Sequence, residues 1–177
     1  EVNPLKGFMA EQDDRPGTRS LCDQLQITVE ELQTRRAFLS FGEQDEKNLV
    51  ELHDVIASRV DELTGEFYGH LLQFEELREI LSDRKLVERL KWALRRYLLS
   101  LGQSADRIEY AEGRLRIGLT HERVGLKQKW YLGAYNKLFE LIVQRLTDRY
   151  PEDGRRLSSL VLTLNRIFTR DEIFVVE

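Results

Sequence analysis

Cysteine is nearly absent: Cys22 stands alone in 177 residues. Disulfide frameworks and cysteine-based zinc or iron–sulfur sites within one chain are therefore excluded. Proline is scarce too, with only Pro4, Pro16 and Pro151, and none between the last two. There is no basic excess, since the formal net charge is -4, and a general nucleic-acid binder normally carries one. No run approaches the roughly 20 apolar residues that cross a bilayer, and no signal peptide is visible. The cytoplasm is the expected location. HExxH, GxGxxG, GxxxxGK[ST] and GxSxG are all missing. These absences argue against a zinc hydrolase, the standard nucleotide sites and a nucleophile-elbow hydrolase.

What remains is helix-forming material. Apolar residues make up 41% and charged residues 33%, enough to bury a core in one domain. The long proline-free stretch is rich in Leu, Glu, Arg and Lys, and strand-type alternation is missing, so the chain reads as all-α. Residues 1–24 are polar and turn-rich around Asp13, Asp14, Pro16 and Gly17, and read as a flexible tail before a domain over 25–177.

Periodicity and caps divide the domain. Thr28 with Glu31 resembles a capping box opening a short helix to about Phe41. A stripe from Leu49 through Val60 to Leu71 predicts a long helix over 43–73. Gly65 and Gly69 lie inside it, and their helix penalty of about 1 kcal/mol each implies a packing reason. Residues 74–81 bend the chain. Ser82 or Asp83 then caps a helix whose inner face reads Leu86, Leu90, Ala93, Leu94, Tyr97 and Leu101, with Gly102 ending it. Three further helices are expected over 105–126, 127–150 and 152–175, with Pro151 in the first turn of the last.

Three histidines are present. His53 and His70 sit in polar or open surroundings and read as surface residues. His121 differs, because Ile117, His121 and Val124 fall at i, i+4 and i+7 on one apolar stripe. A buried imidazole must find a partner or lose its charge. The spacing fits a satisfied core histidine. That is the commoner case for such a residue, but the single neutral imidazole facing an apolar pocket that proximal haem ligation requires has the same spacing. Tyr68, beside Phe67, fits an interfacial tyrosine or a ligand clamp.

Four stretches extend this pattern: FYGHL (67–71), ERLKWALRR (88–96), RIGLTHERVGL (116–126) and KWYLGAY (129–135). In order and spacing they resemble the sensor-globin domain of globin-coupled sensors. The form is that of the haem-based aerotaxis transducers and diguanylate-cyclase-coupled globins, and the similarity runs from about Thr28 to Val175. The resemblance implies a globin fold with an extra N-terminal helix and a reduced D/E region. It implies haem b (iron protoporphyrin IX) held by His121 as the metal ligand, with Tyr68 as a hydrogen-bond donor to bound O₂. Leu90 and Ala93 would lie on the distal side and Tyr131 on the proximal side, with Phe67, Ile80, Ile117 and Val124 completing the cofactor pocket.

Aerotaxis members carry a threonine where this chain has Ala93, which leaves Tyr68 as the main polar group over the iron. Leu90 stands where other members place a distal histidine. Stressosome relatives lack the proximal histidine that His121 matches. The implied function is gas sensing (O₂, also CO and NO), not catalysis. A homodimer would form through the last two helices, with an output domain beyond Glu177. The competing readings are a haem-free globin-like interaction module and a haem enzyme.

Overall fold

The computed structural model describes residues 19–103 and 105–176. Eight helices follow in order: α1 (Leu21–Gln24), α2 (Val29–Phe38), α3 (Glu43–Leu71), α4 (Glu75–Ile80), α5 (Arg84–Leu99), α6 (Ile108–Arg123), α7 (Gln128–Arg149) and α8 (Gly154–Val176). No strand occurs among the described residues.

Local chemistry sets the ends of these helices. The Thr28 hydroxyl accepts from the Glu31 backbone N–H at 3.2 Å, satisfying a donor that the first turn leaves unpaired. Asp83 caps α5 by accepting from the Lys85 N–H at 2.8 Å. Asp153 does the same for α8, accepting from the Arg156 N–H at 2.9 Å. Pro151 therefore lies before the cap, in a bend, and not in the first turn of α8. α5 stops at Leu99, so Leu101 is buried from the turn beyond the helix. At Gly102 the backbone has φ +75°, and a Cβ there would lie 2.6 Å from Leu49 Cδ2. Only glycine satisfies both conditions without strain.

α3 is the spine. It packs on α5, α7 and α8, while α7 and α8 pack on each other. Leu63, Leu98, Ile142, Leu146, Leu160, Leu164 and Ile167 have no exposed surface. Burying each such side chain is worth about 1.5–3 kcal/mol. A polar staple pins α8 to the start of α3. There the buried Asp45 accepts from Thr163 at 2.5 Å and from Arg166 at 2.9 Å. Burial alone would raise the Asp45 pKa, but the hydrogen bonds from Thr163, the Gly42 N–H and Arg166 bring it below its ordinary value.

The other half of the molecule is built on α6, which packs on both α8 and α1. Of the expected tail, residues 1–18 lie outside the described residues. Residues 19–24 are not tail-like: α1 docks on α6, Cys22 is 1% exposed, and the Glu112 carboxylate accepts from the Leu21 and Cys22 N–H groups. With Ile27, Leu32, Ala111, Leu115 and Phe174, Cys22 forms a second small core. The reason is tertiary. One fully buried side chain on a four-residue helix carries no periodic signal, and the carboxylate that completes it is 90 residues away.

Three helical glycines fall into two kinds. Nothing lies within 4 Å of a Cβ built at Gly65 or Gly69, so neither answers a packing need. Gly118 does, since its Cβ would sit 2.5 Å from the Val175 carbonyl oxygen, where α6 and α8 cross closely. Gly65→Ala should therefore stabilise the fold by about 1 kcal/mol, raising Tm by about 2–4 °C. Gly118→Ala should destabilise it by about 1–3 kcal/mol. Urea titrations of the two variants check this; shifts of the same sign would contradict the packing described.

Candidate functional site

Five helices close around one cavity of about 260 Å³. This is near the lower end of small-molecule pockets, roughly 300 Å³. α3 supplies Phe67 and Tyr68, α4 Ile80, α5 Leu90 and Ala93, α6 Ile117 and His121 with Val124 at its end, and α7 Tyr131. All nine residues singled out from the sequence thus line a single space. His53 and His70 do not. His53 is half-exposed beside Asp54, and the His70 ring rests on Phe74 with centroids 5.2 Å apart.

His121 is placed by how α6 ends. Leu126 N–H donates to the His121 carbonyl and Gly125 N–H to that of Glu122, both at 2.9 Å. Gly125 has φ +71°. This is the glycine-dependent Schellman stop, and it terminates the helix just past the histidine. The imidazole packs against the Tyr131 ring, with centroids 4.7 Å apart. Its Nδ1 is buried without a hydrogen-bond partner. Burial pushes the pKa down to about 4, so the ring is neutral at physiological pH and keeps a free lone pair.

Tyr68 is 7% exposed and meets Phe67 edge-on, with centroids 5.3 Å apart. Its hydroxyl has no hydrogen-bond partner among the described residues. Burial raises its pKa further above the ordinary phenol value, so it stays a proton donor. Nearly all the remaining lining is aliphatic or aromatic.

The α4 wall is held by Glu76. Its carboxylate accepts from Lys127, from Trp130 Nε1 and, at 3.3 Å, from Lys129. Hydrogen bonding from Lys127 and then Trp130 pulls the Glu76 pKa down to about 2. This clamp joins α4 to the start of α7.

Sequence reasoning missed one lining residue with chemistry of its own, Arg114. It sits seven residues before His121, hence on the same helix face, and that spacing was the available signal. Tyr97, read from sequence as an inner-face residue, and Tyr135 also line the cavity. Burial and then the Asp171 charge push Tyr135 up to about 12.

The architecture and this pocket between the α5 and α6 walls define a globin fold of the sensor type, with added N-terminal helices and the single short helix α4 between α3 and α5. The chain belongs to the Protoglobin family, whose pattern matches residues 28–177. It is 31% identical over 130 residues to the heme-based aerotactic transducer HemAT of Halobacterium salinarum. That match covers 73% of this chain and 27% of the relative, so the chain spans about a quarter of the relative's length. The globin domain of the Geobacter sulfurreducens globin-coupled sensor has the same fold, with a TM-score of 0.73, 23% identity, and coverage of 81% of this chain and 94% of that one. The resemblance read from the four sequence stretches is met by these comparisons.

Neutral His121 links stability to acid. The unfolded chain takes up its proton near pH 6.5, the folded chain only near pH 4. Stability is complete above pH 6.5 and falls as the pH drops to 4, by about 3 kcal/mol. Urea unfolding of the cofactor-free chain should show this loss, and His121→Phe should remove that component while other acid-linked losses remain. Parallel stability–pH curves for the two proteins would refute it.

Proposed function

We propose that this chain is a haem-based gas-sensing domain, with haem b in the cavity, O₂ as its ligand, and an output domain elsewhere in the full protein as its target. The observation that carries the reading is His121. It is one neutral imidazole with an unpartnered buried nitrogen, on the wall of an otherwise apolar cavity. Among the described residues no cluster of three or more His, Cys, Asp or Glu could hold a metal ion. One imidazole suffices only for a metal that brings its other ligands with it, as iron does in a porphyrin. Family membership and the aerotactic relative's name support the same reading.

Haem, held by His121, would supply an iron able to take O₂, CO or NO. The chain does the rest. His121 offers a lone pair without first shedding a proton. Tyr68 holds a donor in a dry site, where its hydrogen bond is not diluted by water. Leu90 and Ala93 add no polar atom beside it. No described helix is long and apolar enough to cross a membrane. We read the domain as a cytoplasmic signalling module and not as an enzyme. It would pair with a second copy through α7 and α8, where Leu132 and Leu162 remain 43% and 52% exposed.

A visible spectrum tests the reading. Haem added to the chain should give a sharp Soret band that His121→Ala abolishes. No band would favour a haem-free interaction module. Tyr68→Phe should change O₂ affinity roughly 10- to 150-fold, the worth of a hydrogen bond to a charged acceptor. CO affinity should change less. Equal shifts for the two gases would remove Tyr68 from this role. Sedimentation at micromolar concentration should report a dimer.

A further inference from the structure

Asp171 lies on α8, has no exposed surface and does not line the cavity. Its carboxylate accepts from the Tyr97 hydroxyl at 2.8 Å and from the Tyr110 hydroxyl at 2.6 Å. Arg114 Nε stands 3.8 Å from the same group. The Arg114 guanidinium also lies over both tyrosine rings, 4.4 Å from the Tyr97 centroid and 4.6 Å from that of Tyr110. Three helices thus converge on one carboxylate: α5 through Tyr97, α6 through Tyr110 and Arg114, and α8 through Asp171 itself. Two of these groups, Tyr97 and Arg114, are cavity wall.

One connection in this knot is left open. Arg114 is 9% exposed and its Nε has no hydrogen-bond acceptor. At 3.8 Å the pair with Asp171 is an ion pair but not a hydrogen bond. A movement of about 1 Å would close it. A buried guanidinium with an idle donor is costly, so it follows whatever acceptor comes within reach. Arg170, 5% exposed and stacked over the outer side of this cluster at 5.4 Å from the Tyr110 centroid, adds a second buried cation. Farther along, Gly118 closely approaches the Val175 carbonyl, so α8 runs beside α6 to its last turn. α6 is the helix that carries His121.

We propose that Asp171 is a positioning residue that couples the cavity to α8: displacement of the wall at Tyr97 and Arg114 passes through its carboxylate to the last turns of the helix. This rests on the reading of the cavity as the ligand site and adds the route by which occupancy leaves it. A coupling of this kind needs an element that both ends bias, and the open or closed Arg114–Asp171 pair is that element.

The test is amide hydrogen exchange over residues 165–176 of the full chain in wild type, Asp171→Asn, Ala93→Phe and the double variant. Ala93→Phe pushes on the cavity wall from α5, whether or not a cofactor binds. It should change α8 exchange threefold or more in the wild-type background and leave it nearly unchanged in the Asp171→Asn background. α5 and α6 should respond in both. A residue that only stabilises the fold shifts all four proteins' baselines and creates no background dependence. An equal α8 response in the two backgrounds, or none in wild type, overturns the proposal. Tyr110→Phe removes one donor and should give an intermediate response. It also serves if Asp171→Asn does not fold, and an undiminished response in it is then the refuting result. Soret absorbance on adding haem reports separately on the cavity reading. If no protein takes up haem, that reading falls, while the Ala93→Phe comparison still decides the coupling.

Discussion

A carboxylate without any contact with water governs how the second half of this molecule is assembled. Taking Asp171 out of solvent costs several kcal/mol unless hydrogen bonds and opposite charge offset it. Tyr97 and Tyr110 supply the hydrogen bonds, and Arg114 supplies the nearby charge. Satisfying that demand brings α5, α6 and α8 to one point. Their meeting there sets the register of α6 against α8. The face bearing Arg114, Ile117 and His121 must then look into the space enclosed by α3, α4, α5 and α7. The glycine crossing at Gly118 brings the α8 backbone close enough to hold this geometry.

Within that space one physical condition acts on two residues with complementary results. Dehydration lowers the proton affinity of the His121 imidazole and raises that of the Tyr68 hydroxyl. The first becomes a standing lone-pair donor and the second a standing proton donor. Neither needs a charged neighbour to reach that state. An apolar lining is therefore an active part of the site, because it sets the protonation of both groups and removes competing water. The same burial makes the domain sensitive to acid, since the imidazole resists the proton that the unfolded chain accepts readily.

Much of the fold could be read locally. Hydrophobic stripes of helical period located α3, α5, α7 and α8 to within a few residues, and the side chains of Thr28 and Asp83 cap α2 and α5 as their positions imply. Errors arose where distant parts of the chain decide. Gly65 and Gly69 resemble packing glycines but face open space. Gly118, with no distinguishing sequence context, meets a backbone carbonyl 57 positions away. Cys22 joins a core completed by Phe174 from the other end of the chain. Pro151 is a good helix opener by type, yet the Asp153 side chain caps the Arg156 N–H and α8 starts later.

By itself the sequence determined the helical class, the buried faces of the main helices, and the placing of His121 on an apolar stripe and of Tyr68 beside one. Those features depend on neighbours three to seven residues apart, within reach of a helix turn or two. Only the tertiary structure decided that the stripes share one cavity, that Arg114 belongs to its wall, and that Asp171 anchors it from outside. Burial, and with it the proton affinity of every group in the site, belongs to the packed assembly of helices. A periodic pattern can say which side of a helix turns inward, but not what waits there.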